Sequence, residues 1–292
     1  KGEWCNNTLV SEWIIGIYLS NEYVKGIELS DLSTQRCINF TRMFDISDCT
    51  LLVPYKGKML KDRSYYITME RIDIDIHKLV KKKCLDDRYI DGIIFQIIFS
   101  IAYYQEVEKL QMSHNDLKTD NIFATIIKDG MRYGGKNLID TSIFSYSVNG
   151  VLYAIDACPI ICKIGDFGFS TLWNKRPVGY RDDIESFEKL PGKLIKAYDL
   201  IFFLVMAEYE FAGSVLVQDI MEWMFEGEDI TDYLYEKGDN YEYRPIPKKI
   251  DTPFFKNKTA LNLLQSDIFK HFRVESKDVS SILEDGVVFG VL

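Results

Sequence analysis

Asp116, Lys118 and Asn121 lie in the run Ser113-His114-Asn115-Asp116-Leu117-Lys118-Thr119-Asp120-Asn121, and Asp166 follows in Ile164-Gly165-Asp166-Phe167-Gly168. These residue types are the ones needed to move a phosphoryl group from ATP to a hydroxyl. That reaction passes through a loose transition state, so a protein contributes mainly position and compensating charge. Asp116 is the candidate acceptor of the hydroxyl proton, and Lys118 the candidate partner of the transferring phosphoryl. Asn121 and Asp166 are candidate ligands for Mg2+, a hard ion that prefers oxygen. Gly168 lets the backbone turn sharply after Phe167 without a side-chain penalty. The competing reading is a loop with an N-capping aspartate and incidental polar residues. Four residue types at set offsets, answered downstream by Asp-Phe-Gly, weigh against it.

Such residues act together only if flanking elements hold them. Before the loop, Ile90, Ile93, Ile94, Ile97, Ile98, Ile101 and Ala102 recur at the spacing of a buried helical stripe. After it, Tyr198-Asp199 leads into Leu200-Ile201-Phe202-Phe203-Leu204-Val205, which reads as a buried helix with Asp199 as one choice of N-cap. An early helix runs through Glu12 to Leu19, capped by Thr8 or Ser11. Cys49–Val53 and Ser64–Met69 read as strands of one hairpin. Asp166 follows Asn121 by 45 positions, and in the interval bulky residues alternate from Phe144 to Ile155 around Asn149-Gly150. That pattern predicts a second hairpin with a tight turn.

The 113–121 and 164–168 segments resemble the catalytic loop and metal-binding motif of protein kinases. Lys118 is the residue usual in serine/threonine kinases, whereas small-molecule kinases of similar shape usually lack it. The hairpin at Tyr146-Ser147-Val148-Asn149-Gly150 is similar to an insertion in haspin-type kinases and in the diverged kinases of large DNA viruses. The tail Asn262–Arg273 also looks like the virus-encoded group, and the resemblance spans about Glu12 to Arg273.

This resemblance implies an α+β, two-lobed fold with a reduced or truncated N-lobe and a mainly helical C-lobe. Residues 1–72 would form a partial N-lobe and hinge, and 73–292 the C-lobe with an insertion at about 124–160. In that frame Met69 takes the gatekeeper position, and the backbone of Glu70 and Ile72 binds adenine. An ordinary edge strand is the alternative. Glu12 becomes the carboxylate that pairs with a nucleotide-binding lysine, against a solvent-facing carboxylate at a helix start. His114 supports Phe167, and Asp199 accepts hydrogen bonds from the catalytic-loop backbone. The implied activity is ATP- and magnesium-dependent phosphorylation of protein serine or threonine, in host cytoplasm or virion if the origin is viral. The rival is a pseudokinase or kinase-like scaffold.

Two departures sharpen those expectations. Asn115 stands where an arginine usually precedes the aspartate and pairs with a phosphorylated activation loop. Activity is therefore expected to survive phosphatase treatment. No Gly-x-Gly-x-x-Gly loop precedes Glu12, and the chain starts at Lys1, so a processed or partial chain is expected.

Composition excludes other classes. The net charge of -9 argues against a sequence-independent grip on nucleic acid, which needs a basic surface. The longest wholly apolar run, Leu200 to Ala207, has 8 residues, too few to span a bilayer. The six cysteines have no Cys-x-x-Cys spacing and read as buried free thiols.

Overall fold

A computed structural model describes residues 8–20, 37–55, 58–83, 85–106, 111–133, 135–173, 178–179, 191–237 and 242–292. Its first helix, α1 (Thr8–Ser20), buries Ile15 and Leu19. Ser11 lies inside this helix rather than at its N-cap, because the turn begins at Thr8. The first hairpin pairs β1 (Met43–Tyr55) with β2 (Lys58–Met69), setting Cys49 opposite Ser64. Both strands outrun the apolar stretches that announced them. Asp45 and Ser47 are exposed, alternating with half-buried Phe44 and Ile46, the pattern of a sheet packed on one face only.

The chain then passes through β3 (Ile74–Asp75) into α2 (Ile76–Lys81), where Asp75 caps the helix by accepting from the Lys78 amide at 2.7 Å. Helix α3 (Ile90–Glu106) is buried at every residue from Ile93 to Gln105. A helix apolar on all sides belongs at the centre of a domain. The Phe95 ring on α3 packs within 5.4–5.5 Å of Tyr146, Tyr153, Phe269 and Phe272.

Short β4 (Met112–Ser113) leads to the 113–121 loop and then to β5 (Ile122–Ile126). Next come β6 (Arg132–Tyr133) and β7 (Lys136–Asn137), then the second hairpin, β8 (Ile143–Val148) with β9 (Val151–Asp156). At its turn Asn149 and Gly150 have φ of 49° and 80°, as a two-residue turn with both central residues left-handed requires. Strand β10 (Ile160–Ile164) returns antiparallel to β5, and β11 (Thr171–Leu172) pairs with both β4 and β12 (Val178–Gly179).

The remainder holds α4 (Lys196–Glu210), α5 (Val215–Phe225), the hairpin of β13 (Leu234–Lys237) with β14 (Glu242–Pro245), α6 (Pro247–Ile250), α7 (Ala260–Leu264), α8 (Val279–Asp285) and β15 (Val287–Val291). Strand β15 adds parallel to β8, and its Phe289 ring sits 4.4 Å from Phe144. Gly290 lies so close to Phe99 that a Cβ there would be 2.5 Å from the ring. The architecture is mixed α+β, with several small sheets around α3 and α4. Among the described residues no helix is long and apolar enough to cross a membrane. Cys37, Cys158 and Cys162 are buried free thiols, and burial pushes Cys37 up to about 12.

Candidate active site

Pairing of β5 with β10 brings the two motifs together. The register sets Ile122 opposite Ile164, so Asn121, just before β5, faces the residues just after β10. The Gly165 amide donates to the Asn121 carbonyl at 3.1 Å. His114 adds a second link: its Nε2 lies 2.9 Å from the Gly165 carbonyl, and its ring packs 5.6 Å from Phe167. The expected support of Phe167 by His114 is thus present as a ring contact.

The loop is anchored from beneath by Asp199. This aspartate sits in the first turn of α4 but is not its cap, because the N-cap position is Ile195. Its carboxylate accepts from the His114 amide at 2.7 Å, the Asn115 amide at 2.8 Å and the Tyr104 hydroxyl at 2.9 Å. Burial pushes the Asp199 carboxyl up, and His114 with the two amides opposes that shift. A buried carboxylate with three donors holds the loop backbone in one arrangement. Asn115 adopts φ 66° there, an uncommon left-handed conformation that asparagine tolerates better than most residues. Its Nδ2 donates to the Phe169 carbonyl at 2.8 Å.

Asp116 is buried, and its Oδ2 accepts from Asn121 Nδ2 at 3.1 Å, with Lys118 Nζ at 3.8 Å. Its Oδ1 is ion-paired with Arg244 of β14. Asp166 is exposed and also left-handed, with φ 58°. Such strain outside glycine persists where surrounding contacts enforce it, and it clusters at functional sites. Asp116, Lys118 and Asn121 are therefore in direct contact or near it, and Asp166 lies one residue beyond the Gly165–Asn121 link.

Glu12 reaches the same place from α1. A Cβ on Gly168 would lie 3.5 Å from Asp166 Oδ1 and 3.9 Å from Glu12 Oε2, so the two carboxylates flank Gly168. Burial and then the Asp166 charge push Glu12 up to about 7, while a hydrogen bond from the Phe167 backbone opposes them. Glu12 is thus half-buried and faces a carboxylate rather than a lysine among the described residues.

Glu70, just past the end of β2, is a clamp on β10. Lys163, fully buried on β10, donates to Glu70 Oε1 at 2.7 Å and Oε2 at 2.8 Å. Burial pulls the Lys163 amine down, and Glu70 counters it. Glu70 Oε1 also accepts from the Arg42 amide, and the Glu70 amide donates to the Arg42 carbonyl. The Glu70 amide expected to face adenine is therefore occupied within the protein. Met69 is exposed and Ile72 half-buried. Met69 and Glu70 line a cavity of about 660 Å³ together with Thr125, Ile126, Lys128 and Met131.

Among the described residues no group of three His, Cys, Asp or Glu side chains is arranged to hold a metal. Magnesium does not require one, since it keeps several waters and takes one or two carboxylates plus substrate phosphates. The exposed Asp166 carboxylate and the Asn121 amide oxygen, whose nitrogen is spent on Asp116, fit that habit. The chain matches no protein-family model and no curated protein.

Sequence reasoning missed Arg244 and Lys163. For Lys163 a signal existed: it is the lone charge in Ile160-Ile161-Cys162-Lys163-Ile164, and a cation buried in such a strand needs an acid partner. Arg244 carried none, because its partner lies 128 positions away.

Proposed function

We propose that this protein is an ATP-dependent serine/threonine protein kinase. The observation that carries the reading is the Gly165–Asn121 hydrogen bond, with Asp116 held against Asn121. It joins a candidate base and two oxygen ligands from segments far apart in sequence. In this reading α1 with β1 and β2 belongs to a reduced N-lobe, and the helices from α2 onward to a C-lobe.

Asp116 orients the substrate hydroxyl and takes its proton as that oxygen bonds to the γ-phosphorus and the bond from this phosphorus to the bridging oxygen breaks, so that ADP leaves. Lys118 lies beside the same carboxylate and compensates charge on the transferring phosphoryl. Asn121 and Asp166 would hold Mg2+, which when bound neutralises the nucleotide phosphates. The base of the nucleotide sits against the Met69–Ile72 segment, near the cavity whose Thr125 is three residues along β5 from Ile122. At about 3.3 Å per residue, that is about 10 Å from the phosphate end. Host cytoplasm or virion follows only from the viral likeness.

Glu12 favours a second reading. A carboxylate facing Asp166, with no lysine between them among the described residues, suits a kinase-like scaffold that transfers nothing. One experiment separates the two: incubation with radiolabelled ATP, magnesium and generic protein substrates, beside Asp166→Ala. Label on serine or threonine that disappears in the variant supports the kinase. Absence of label from wild type with partner binding retained supports the scaffold.

A further inference from the structure

We infer that Arg244 is a positioning residue for Asp116, a role that rests on the kinase reading above. Arg244 comes from the β13–β14 hairpin, where it pairs across from Tyr235, and β14 packs against α4. Its guanidinium lies 5.3 Å from the Phe202 ring centre, and Nη1 reaches the Asn115 carbonyl at 3.5 Å. Nη2 makes the ion pair with Asp116 Oδ1. The arginine side chain is 5% exposed and the aspartate 4%.

A buried arginine is nearly always there for its partner. Here the partner is the candidate base, and the contact fixes more than charge. Arg244 holds Oδ1 while Asn121 holds Oδ2, so the carboxylate plane is gripped from two directions. The planar guanidinium sets an orientation that a flexible ammonium does not. Within the loop, Asn115 is neutral and spends its amide on Phe169 and Thr171, so it supplies no cation to Asp116. The hairpin supplies one from outside the loop. Strand β14 is thereby tied to turnover, and a shift of the hairpin misplaces the base.

The test uses the full chain with Arg244→Ala and Arg244→Lys, assayed with ATP, magnesium and a serine peptide. A base displaced by about 1 Å costs on the order of 100-fold, so kcat of Arg244→Ala should fall by about that factor. KM for ATP should stay within about twofold, because the nucleotide is held elsewhere. Ethylguanidinium added to Arg244→Ala should restore part of the rate, and should do nothing for Asp116→Ala. If Arg244→Ala does not fold, Arg244→Lys keeps the charge and should still lose kcat with KM unchanged. A kcat that is unchanged or raised in the folded variants overturns the role, as does a loss that guanidinium leaves untouched. Absence of transfer by the wild-type protein overturns the kinase reading and this role with it. An active wild type with an equally active Arg244→Ala overturns this role alone.

Discussion

Lys163 with Glu70 and Arg244 with Asp116 are both buried cation–carboxylate pairs, yet they are built for different ends. Glu70 spends both oxygens on the protein: Oε1 on Lys163 and the Arg42 amide, Oε2 on Lys163. Three protein donations hold that carboxylate, and the pair fastens the end of β2 to β10. Asp116 is held by Arg244 and Asn121, while Lys118 stands off at 3.8 Å. That distance is too long for a hydrogen bond and leaves room beside Oδ2. The carboxylate with more of its acceptor sites occupied reads as architecture and the one with fewer as a site.

On the proposed kinase reading, the largest effect should come from Asp116. Replacing a positioned base lowers turnover by about 10²–10⁴-fold, so Asp116→Ala should lose that much kcat in steady-state kinetics while ATP affinity holds. A change in ATP binding alone would contradict its role. Glu70→Ala should act on folding instead. It strands Lys163 in the interior, and breaking a buried pair costs about 3–5 kcal/mol, measurable by urea unfolding. The double change Glu70→Met with Lys163→Met should recover much of that loss, since apolar replacement of a buried pair is often neutral. Should Glu70→Ala unfold no more easily than wild type, the clamp is misassigned.

Smaller effects test the surroundings. Asn39 donates to Gln96 Oε1 at 3.1 Å and to the Cys162 carbonyl at 2.8 Å, binding residues 37–42 to α3 and β10. Asn39→Ala leaves those acceptors short of a donor and should cost about 1–3 kcal/mol in the same assay. Glu12 makes a pH prediction. Its carboxyl moves from an ordinary 4.5 to about 7 on folding, so the native state holds the proton more tightly. Its contribution is full below about pH 4.5 and declines as pH rises to about 7. Glu12→Gln should flatten the stability profile in that window and unfold later than wild type above it. An unchanged profile would show that neither burial nor the Asp166 charge raises Glu12.

Local patterns made much of this legible. The loop residues could be read because their chemistry is written at short, fixed offsets. Asn149-Gly150 announced the β8–β9 turn because few residues tolerate left-handed backbone twice in succession. The uninterrupted apolar face of α3 announced the core. What stayed hidden depends on partners distant in sequence. Strand β15 joins β8 in parallel across more than a hundred residues, and no short-range signal selects that partner. The same holds for Arg244 reaching Asp116 and for Lys163 reaching Glu70. Glu12 was legible as a site residue, but the identity of its neighbour was not, because only the packing of α1 onto 166–168 brings Asp166 to it.

The kinase reading requires Asn121 and Asp166 to converge on a divalent cation against a nucleotide. Calorimetric titration of ATP with and without magnesium, into wild type, Asn121→Ala and Asp166→Ala, tests it most directly. Tighter binding with magnesium in wild type, and loss of that gain in both variants, is the expected result. Equal affinity in all three proteins, with magnesium making no difference, would contradict it.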